Sequence, residues 1–481
     1  MESWADAGSD LFLEVTPGPG VRVALESALR EAVRSGRLAA GSRLPSSRVL
    51  ARDLGLARNT VADAYGQLVA EGWLTSRQGS GTRVADQAEP GPPPPRRPLR
   101  RPDIGDPFEP YPSDGPAFPY NLRPGSPDLS LFPRGAWLAA ARRALESAPH
   151  HALGYTDPQG TPELRRALAG YLARTRGVRT DPDLLVVCTG YTQAVGLLGR
   201  AVAALGGRRI AVESLGFPDT RGGLRATGVT VERLPLDRDG ARTDLLGQEV
   251  DAALLTPAHQ FPTGVPLHPD RRTAAVAWAR ATGGVVVEDD YDGEFRYDRQ
   301  PVGALQGLAP DHVVYAGTAS KSLVPGLRLA WLAVPPRLLE AVVEQKRLAD
   351  RLSPVLDQLT LAELIGSGGY DRQVRRARLH YRRRRDRLAA ELARHAPDVA
   401  VTGIAAGLHA VLELPPRLAD EAALTARAAE AGVALTVLDR FREADDPDRC
   451  PPALVVGYGT PPDHAFPGAL ERLCGLLAPP R

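Results

Sequence analysis

Hydrophobic positions along this chain follow two different periods, and the change falls near residue 120. Between residues 20 and 86 apolar side chains recur every three to four positions. Val21, Leu25, Ala28, Leu29, Ala32 and Val33 predict a helix that Gly36 closes. A second helix is predicted after Pro45, with Ser46 as N-cap, Val49, Leu50 and Leu54 on its buried face and Gly55 as its stop. After the turn Gly55-Leu56-Ala57, a third helix buries Val61, Ala64, Tyr65, Leu68 and Val69 before Gly72. Trp73-Leu74-Thr75 and Thr82-Arg83-Val84 then flank Arg77-Gln78-Gly79-Ser80-Gly81, which predicts a β-hairpin. Further on, short unbroken apolar runs alternate with Ala/Leu/Arg-rich helical stretches. The runs are Leu184-Leu185-Val186-Val187, Arg209-Ile210-Ala211-Val212, Ala252-Ala253-Leu254-Leu255, Val285-Val286-Val287 and Val313-Val314-Tyr315. Unbroken runs signify strands buried on both faces, so an α/β module with a mainly parallel sheet is expected.

Between the two patterns, residues 87–118 hold eleven prolines, Pro92 to Pro95 in succession. This reads as a semi-rigid linker that at ~3.1 Å per residue reaches up to roughly 100 Å. The expected organisation is a small module at 20–86, the linker at 87–118 and a large module at 119–481.

Charge assigns a partner to the small module. The chain nets only +2, yet residues 20–86 hold ten arginines against six acids, net +4, and the remainder nets −2. Two short helices around a three-residue turn, the second opening with Arg58, Asn59 and Thr60, match a helix-turn-helix that enters the major groove of double-stranded DNA, with the hairpin as its wing. Arg58 and Asn59 can read base edges. Arg43, Ser47, Arg48 and the backbone at Gly79 and Gly81 suit phosphates. The competing reading is a protein-contact module with a solvated polar face.

In the large module the informative residue is a lysine. Only Lys321 and Lys346 stand among 59 basic side chains. Arginine keeps its charge, whereas a lysine whose pKa is lowered can attack an aldehyde and form a Schiff base. Lys321, in Gly317-Thr318-Ala319-Ser320-Lys321-Ser322 directly after a strand-like run, is placed for that; Lys346, in a helical stretch, suits a surface lysine. An aldehyde cofactor also needs a phosphate cradle, a partner for its ring nitrogen and something flat to stack on. Thr189-Gly190-Tyr191-Thr192 opens a helix whose backbone N–H groups and Thr192 hydroxyl can take phosphate. Glu288-Asp289-Asp290-Tyr291-Asp292 follows a buried strand, where carboxylates point into the ligand crevice of a parallel sheet. The three cysteines, Cys188, Cys450 and Cys474, show no metal-ligand spacing, the N-terminus lacks the basic and apolar regions of a signal peptide, and no long apolar run occurs. A cytoplasmic protein with no membrane anchor and no metal is expected.

The run Leu44-Pro45-Ser46-Ser47-Arg48, Arg58-Asn59-Thr60-Val61, Glu71-Gly72-Trp73-Leu74 and Gln78-Gly79-Ser80-Gly81-Thr82 closely resembles the GntR-family winged helix. The resemblance implies operator contacts at Arg48, Arg58, Asn59, Thr60 and Gly79. Ala57 departs from it where relatives often place a capping serine, a loss of about 1 kcal/mol locally. Gln260-Phe261-Pro262-Thr263-Gly264, Glu288 to Tyr297, Gly317 to Lys321 and Pro325-Gly326-Leu327-Arg328 look like a fold-type I aminotransferase domain, and the whole is similar to the MocR/GabR-type regulators that join the two. The implied cofactor is pyridoxal 5'-phosphate, with Lys321 as the catalytic, aldehyde-holding lysine. By the same resemblance Asp289 pairs with the pyridine nitrogen, while Tyr291 and Gln260 lie near the phenolic oxygen. Thr192, Thr318, Ser320 and Arg328 surround the phosphate, Phe217 lies against the ring, and Tyr155 reaches in from the second subunit of a homodimer.

Two departures bear on the effector. Aminotransferases and amino-acid-binding members clamp the ligand carboxylate with an arginine on a late strand; here that stretch is Ala453-Leu454-Val455-Val456-Gly457-Tyr458-Gly459, and Asp219 stands where a second arginine can occur. Arg440 or Arg442 would have to fold in to replace them. The expected function is a transcription regulator sensing pyridoxal phosphate itself, or a small amine or amino acid, with control of vitamin B6 metabolism as one outcome. The alternatives are an active aminotransferase carrying an accessory DNA-binding module, and a DNA-binding protein that uses the body only to dimerise.

Overall fold

A computed structural model describes residues 13, 20–77, 81–86, 118–297, 302–443, 446 and 450–479. The chain divides into two compact units, Met1–Asp103 and Ile104–Arg481. Of the linker expected at 87–118, only Phe118 lies among the described residues, and Gly79 also lies outside them.

In the first unit three helices, α1 (Val21–Arg34), α2 (Ser47–Asp53) and α3 (Arg58–Ala70), precede an antiparallel hairpin of β1 (Leu74–Arg77) and β2 (Gly81–Val84). Leu25, Leu29, Leu50, Val61, Leu68 and Leu74 close one core. Each such side chain contributes about 1.5–3 kcal/mol on full burial. Ser46 caps α2, its hydroxyl accepting from Val49 N at 3.3 Å, whereas Ala57 leaves the start of α3 without a side-chain cap. Tyr65 on α3 donates to the Pro45 carbonyl at 2.9 Å and so ties the two helices of the motif together. Val49 and Val69, expected inside, are solvent-exposed. Each lies one residue, about 100° of helix, away from a buried leucine; Ala51 takes the inward place beside Leu50.

The second unit is built on a seven-stranded sheet. Its spatial order is Leu185–Cys188, Ala330–Ala333, Val313–Thr318, Val285–Asp289, Ala252–Leu255, Arg209–Glu213, Thr230–Leu234. Only Ala330–Ala333 runs antiparallel to its neighbours. Alternate residues of one strand enter different cores: Val287 packs with the helices Tyr191–Ala204 and Pro336–Ala349, Val286 with Pro269–Thr282 on the opposite face. That is why the strands read as unbroken apolar runs. The other parallel strands therefore deliver their C-terminal ends, including Asp289 and Thr318, to one edge. A second sheet, antiparallel throughout, has the order Ala400–Thr402, Ala410–Glu413, Ala453–Val456, Thr436–Val437. Lys346 is not the surface lysine expected: it is fully buried in its helix, its ammonium 2.5 Å from Asp350 one turn on. Among the described residues no helix is long and apolar enough to cross a membrane.

Candidate functional site

At the C-terminal edge of the large sheet lies a pocket of about 430 Å³ lined by Lys321, Asp289, Tyr291, Thr192, Phe217 and Arg328, among others. Lys321 follows the strand Val313–Thr318 by three residues, and its ammonium donates to the Gly125 carbonyl. Removal from solvent lowers its pKa to about 8, against the pull of Asp292 and Asp289. Asp289 ends its strand almost wholly buried, and burial pushes its carboxyl up to about 8 while the adjacent Tyr191 hydroxyl pulls the other way. Apart from this approach to the Tyr191 hydroxyl, Asp289 Oδ1 has no hydrogen-bond partner among the described residues. A buried carboxyl oxygen left so is costly unless a ligand meets it.

The opposite wall is a cradle for an anion. Gly190, at φ 99°, precedes the helix Tyr191–Ala204, and a Cβ there would lie 2.6 Å from the guanidinium carbon of Arg328. Only glycine permits that approach. Arg328 has no acidic partner among the described residues and lies at φ 52°. Thr318 Oγ1 and Ser320 Oγ are 2.8 Å apart, and Ser320 N donates to Thr318 Oγ1 at 3.1 Å. Unpaired guanidinium, hydroxyls and a helix N-terminus together suit a phosphate group. Phe217 stacks on Phe261 with ring centroids 4.1 Å apart and presents an aromatic wall to the pocket. The donor set thus fits a flat anionic aldehyde with a basic ring nitrogen.

Two expected members are not brought to this pocket. Gln260 spends its whole amide elsewhere. Nε2 donates to Glu213 Oε2 at 3.1 Å, to the Leu215 carbonyl at 3.0 Å and to the Phe261 carbonyl at 2.6 Å, while Oε1 accepts from Thr263. It fastens a turn and does not line the pocket. Tyr155 stands away from the pocket of its own chain, 84 % exposed, with the Arg351 guanidinium 4.9 Å from its ring centre.

Some site residues escaped the sequence reading. His259, buried, bonds Asp292 and Tyr291. Arg176 holds Asp290 through two bonds of 2.6 and 2.9 Å. Asp292 and Asp290 were visible as acids in one cluster, but nothing in the spacing links them to His259 or to Arg176, which lies 114 residues before Asp290.

In the first unit Arg58 and Asn59 open α3 exposed, with Thr60 half-buried; Ser47 and Arg48 sit on the first turn of α2. Arg48, Arg58 and Asn59 have no hydrogen-bonding or ionic partner among the described residues. Arg43 packs against the wing, its Nε 3.1 Å from where a Cβ of Gly81 would lie. The segment beside the wing and the two helices of the motif thus present basic side chains to solvent, as a DNA-binding winged helix does.

A winged helix and an aminotransferase-like body on one chain define a class: regulators that bind DNA through one unit and carry an enzyme-derived pocket in the other. Residues 22–84 match the family described as bacterial regulatory proteins, gntR family, and residues 125–449 match aminotransferase class I and II. The chain is 33% identical to the pyridoxine biosynthesis transcriptional regulator PdxR of Corynebacterium glutamicum, over 94% of this chain and 95% of that protein. It is 32% identical to a probable rhizopine catabolism regulatory protein, MocR, of Rhizobium meliloti, over 80% of this chain and 82% of that one. Among solved structures it resembles LysN, an α-aminoadipate aminotransferase of Thermus thermophilus complexed with N-(5'-phosphopyridoxyl)-L-leucine. There the identity is 28%, the TM-score 0.64, and the match covers 74% of this chain and 91% of that one. The chain belongs to the MocR-type branch of the GntR family and is a DNA-binding transcriptional regulator with an aminotransferase-like domain.

Proposed function

We propose that this regulator holds pyridoxal 5'-phosphate on Lys321, that the cofactor is itself the signal, and that the genes controlled belong to vitamin B6 metabolism. Bound there, the cofactor would supply an aldehyde for the lysine and an electron-withdrawing ring. Asp289 would meet the ring nitrogen, and Thr192, Thr318, Ser320 and Arg328 the phosphate. The observation that carries the effector reading is the pocket's cation inventory. Among the described lining residues the sole arginine is Arg328, on the cradle side. Val455 and Val456 are fully buried where a carboxylate clamp would stand. Arg442 is committed to Asp439 at 2.6 and 3.1 Å, and Arg440 does not line the pocket. An amino-acid carboxylate entering beside Asp219 would be buried without a partner. The relative named for pyridoxine biosynthesis supports the same reading.

Operator contact by Arg58, Asn59 and Thr60 at base edges, and by Arg43, Ser47, Arg48 and Gly79 at phosphates, completes the proposal. So does a homodimer, supported by the exposure of Tyr155 at 84 % beside Leu153 at 50 % and Leu356 at 51 %. Signalling requires that the cofactor bind two arrangements of the dimer with different affinity. The test maps the DNA bound by purified protein and then measures operator affinity with and without cofactor. A change of tenfold or more, about 1.4 kcal/mol, between the two forms and none with amino acids is expected. If an amino acid or amine shifted affinity tenfold while cofactor occupancy shifted nothing, the proposal would fail. Sustained amino-group transfer would favour the enzyme reading instead.

A further inference from the structure

The last residue of the strand Val285–Asp289 and the turn after it carry three aspartates with three different destinations. Asp290 is neutralised by Arg176 and by the Tyr315 hydroxyl at 2.7 Å, and Asp289 lines the pocket. Asp292, 2 % exposed, meets His259 Nδ1 at 2.8 Å. The Tyr291 hydroxyl lies 3.0 Å from that same nitrogen. A buried carboxyl and a phenolic hydroxyl thus converge on one ring nitrogen, and each needs that hydrogen-bonding contact because burial takes it from solvent. The Tyr291 hydroxyl also meets the Asp292 carboxylate, so His259 and Asp292 together fix where its oxygen stands on the pocket wall. Asp289 and Lys321 line that pocket with it.

From the other side the second sheet bears on this pair. Gly407, at φ 73°, precedes the strand Ala410–Glu413, and a Cβ on it would lie 2.5 Å from both Asp292 Oδ2 and His259 Cε1. Its carbonyl accepts from Tyr297 and, at 2.7 Å, from Tyr458. His409 lies with its ring centre 5.1 Å from that of His259, its Nε2 donating to the Pro262 carbonyl at 3.1 Å. A backbone segment of one layer is thus clamped against the hydrogen bond that orients a side chain of the pocket.

We propose that His259 and Asp292 are positioning residues that aim the Tyr291 hydroxyl into the Lys321 pocket, and that Gly407 is the contact through which displacement of the C-terminal sheet reaches that hydroxyl. This rests on the cofactor reading above. The test uses the full chain loaded with pyridoxal 5'-phosphate, and reads the pH midpoint of its visible absorbance together with the site of borohydride trapping. His259→Phe should move the midpoint by about one pH unit or more, tenfold in proton affinity, while His259→Asn, which keeps a donor near the Nδ1 position, should restore it. In a Tyr291→Phe background, His259→Phe should add nothing. Tyr458→Phe, which frees the Gly407 carbonyl of one donor, should move the midpoint the same way by less. Trapping absent from Lys321 in the unaltered protein would defeat the cofactor reading itself. Trapping at Lys321 with an unmoved midpoint in His259→Phe, or with shifts that add to those of Tyr291→Phe, would overturn the positioning role alone. Should His259→Phe fail to fold, His259→Gln replaces it, and a Gln midpoint equal to that of Asn overturns the role. A midpoint unmoved by Tyr458→Phe would overturn the part given to Gly407.

Discussion

Arg58 on the recognition helix and Asp289 in the body pocket are held in opposite ways: among the described residues the first is exposed at a helix start without a partner, the second buried with only the Tyr191 hydroxyl beside its Oδ1. The winged helix keeps its chemistry outside its core, so its side chains do their work by reach and charge, and the fold needs none of them. The pocket puts its chemistry inside. There burial alters the groups themselves, lowering Lys321 to about 8 and raising Asp289 to about 8. Substitutions should therefore separate function from stability in the first unit and couple them in the second.

The largest effect should come from Lys321→Ala, which should abolish the covalent cofactor link, read as loss of the borohydride-trapped adduct. An adduct at Lys346 in the unaltered protein would break the assignment. Next, Arg58→Ala should cost about 1–3 kcal/mol of operator affinity and relax sequence preference, whereas Arg48→Ala should weaken all sequences alike and reduce the salt slope by about one. Neither should change the thermal midpoint, and equal losses of specificity would erase the distinction between base and phosphate contacts.

Asp289→Asn should show the coupling. A carboxyl raised from 3.8 to about 8 contributes its full stability below its unfolded pKa and loses it as pH climbs through the folded value. The cofactor-free protein should lose stability between about pH 4 and 8. The Asn variant should flatten that slope and melt higher at pH 8, yet bind cofactor poorly. A slope unchanged by the substitution would mean that other buried acids, Glu213 among them, carry it. The smallest effect should be Ala57→Ser, which gives α3 the cap it lacks and should stabilise the first unit by about 0.5–1 kcal/mol. Operator preference should stay as it was.

Much of the architecture was legible because single-residue chemistry and period suffice for it. Ser46, Gly55 and the run Val285-Val286-Val287 stand where their local rules put them. What failed depended on partners far along the chain. Gln260 is drawn away from the pocket by Glu213, 47 residues earlier, and Lys346 is sealed by packing that its charged neighbours do not announce. Val49 and Val69 show the limit of period itself, since on a helix a buried stripe is narrower than a list of apolar residues.

The scarcity of lysine has a consequence for how the molecule meets the cell. Reactive carbonyl compounds modify primary amines readily, and a protein strewn with surface lysines collects such adducts without meaning. Here one lysine is sealed and the other opens to the body pocket, so among lysine side chains the one exposed to carbonyl compounds is also the proposed receptor. Toward simple aldehydes, which form imines with amines and not with guanidinium groups, the arginine side chains are a background against which one imine-forming lysine stands out. A chemical signal that would be noise on most proteins becomes, on this one, addressable to one atom.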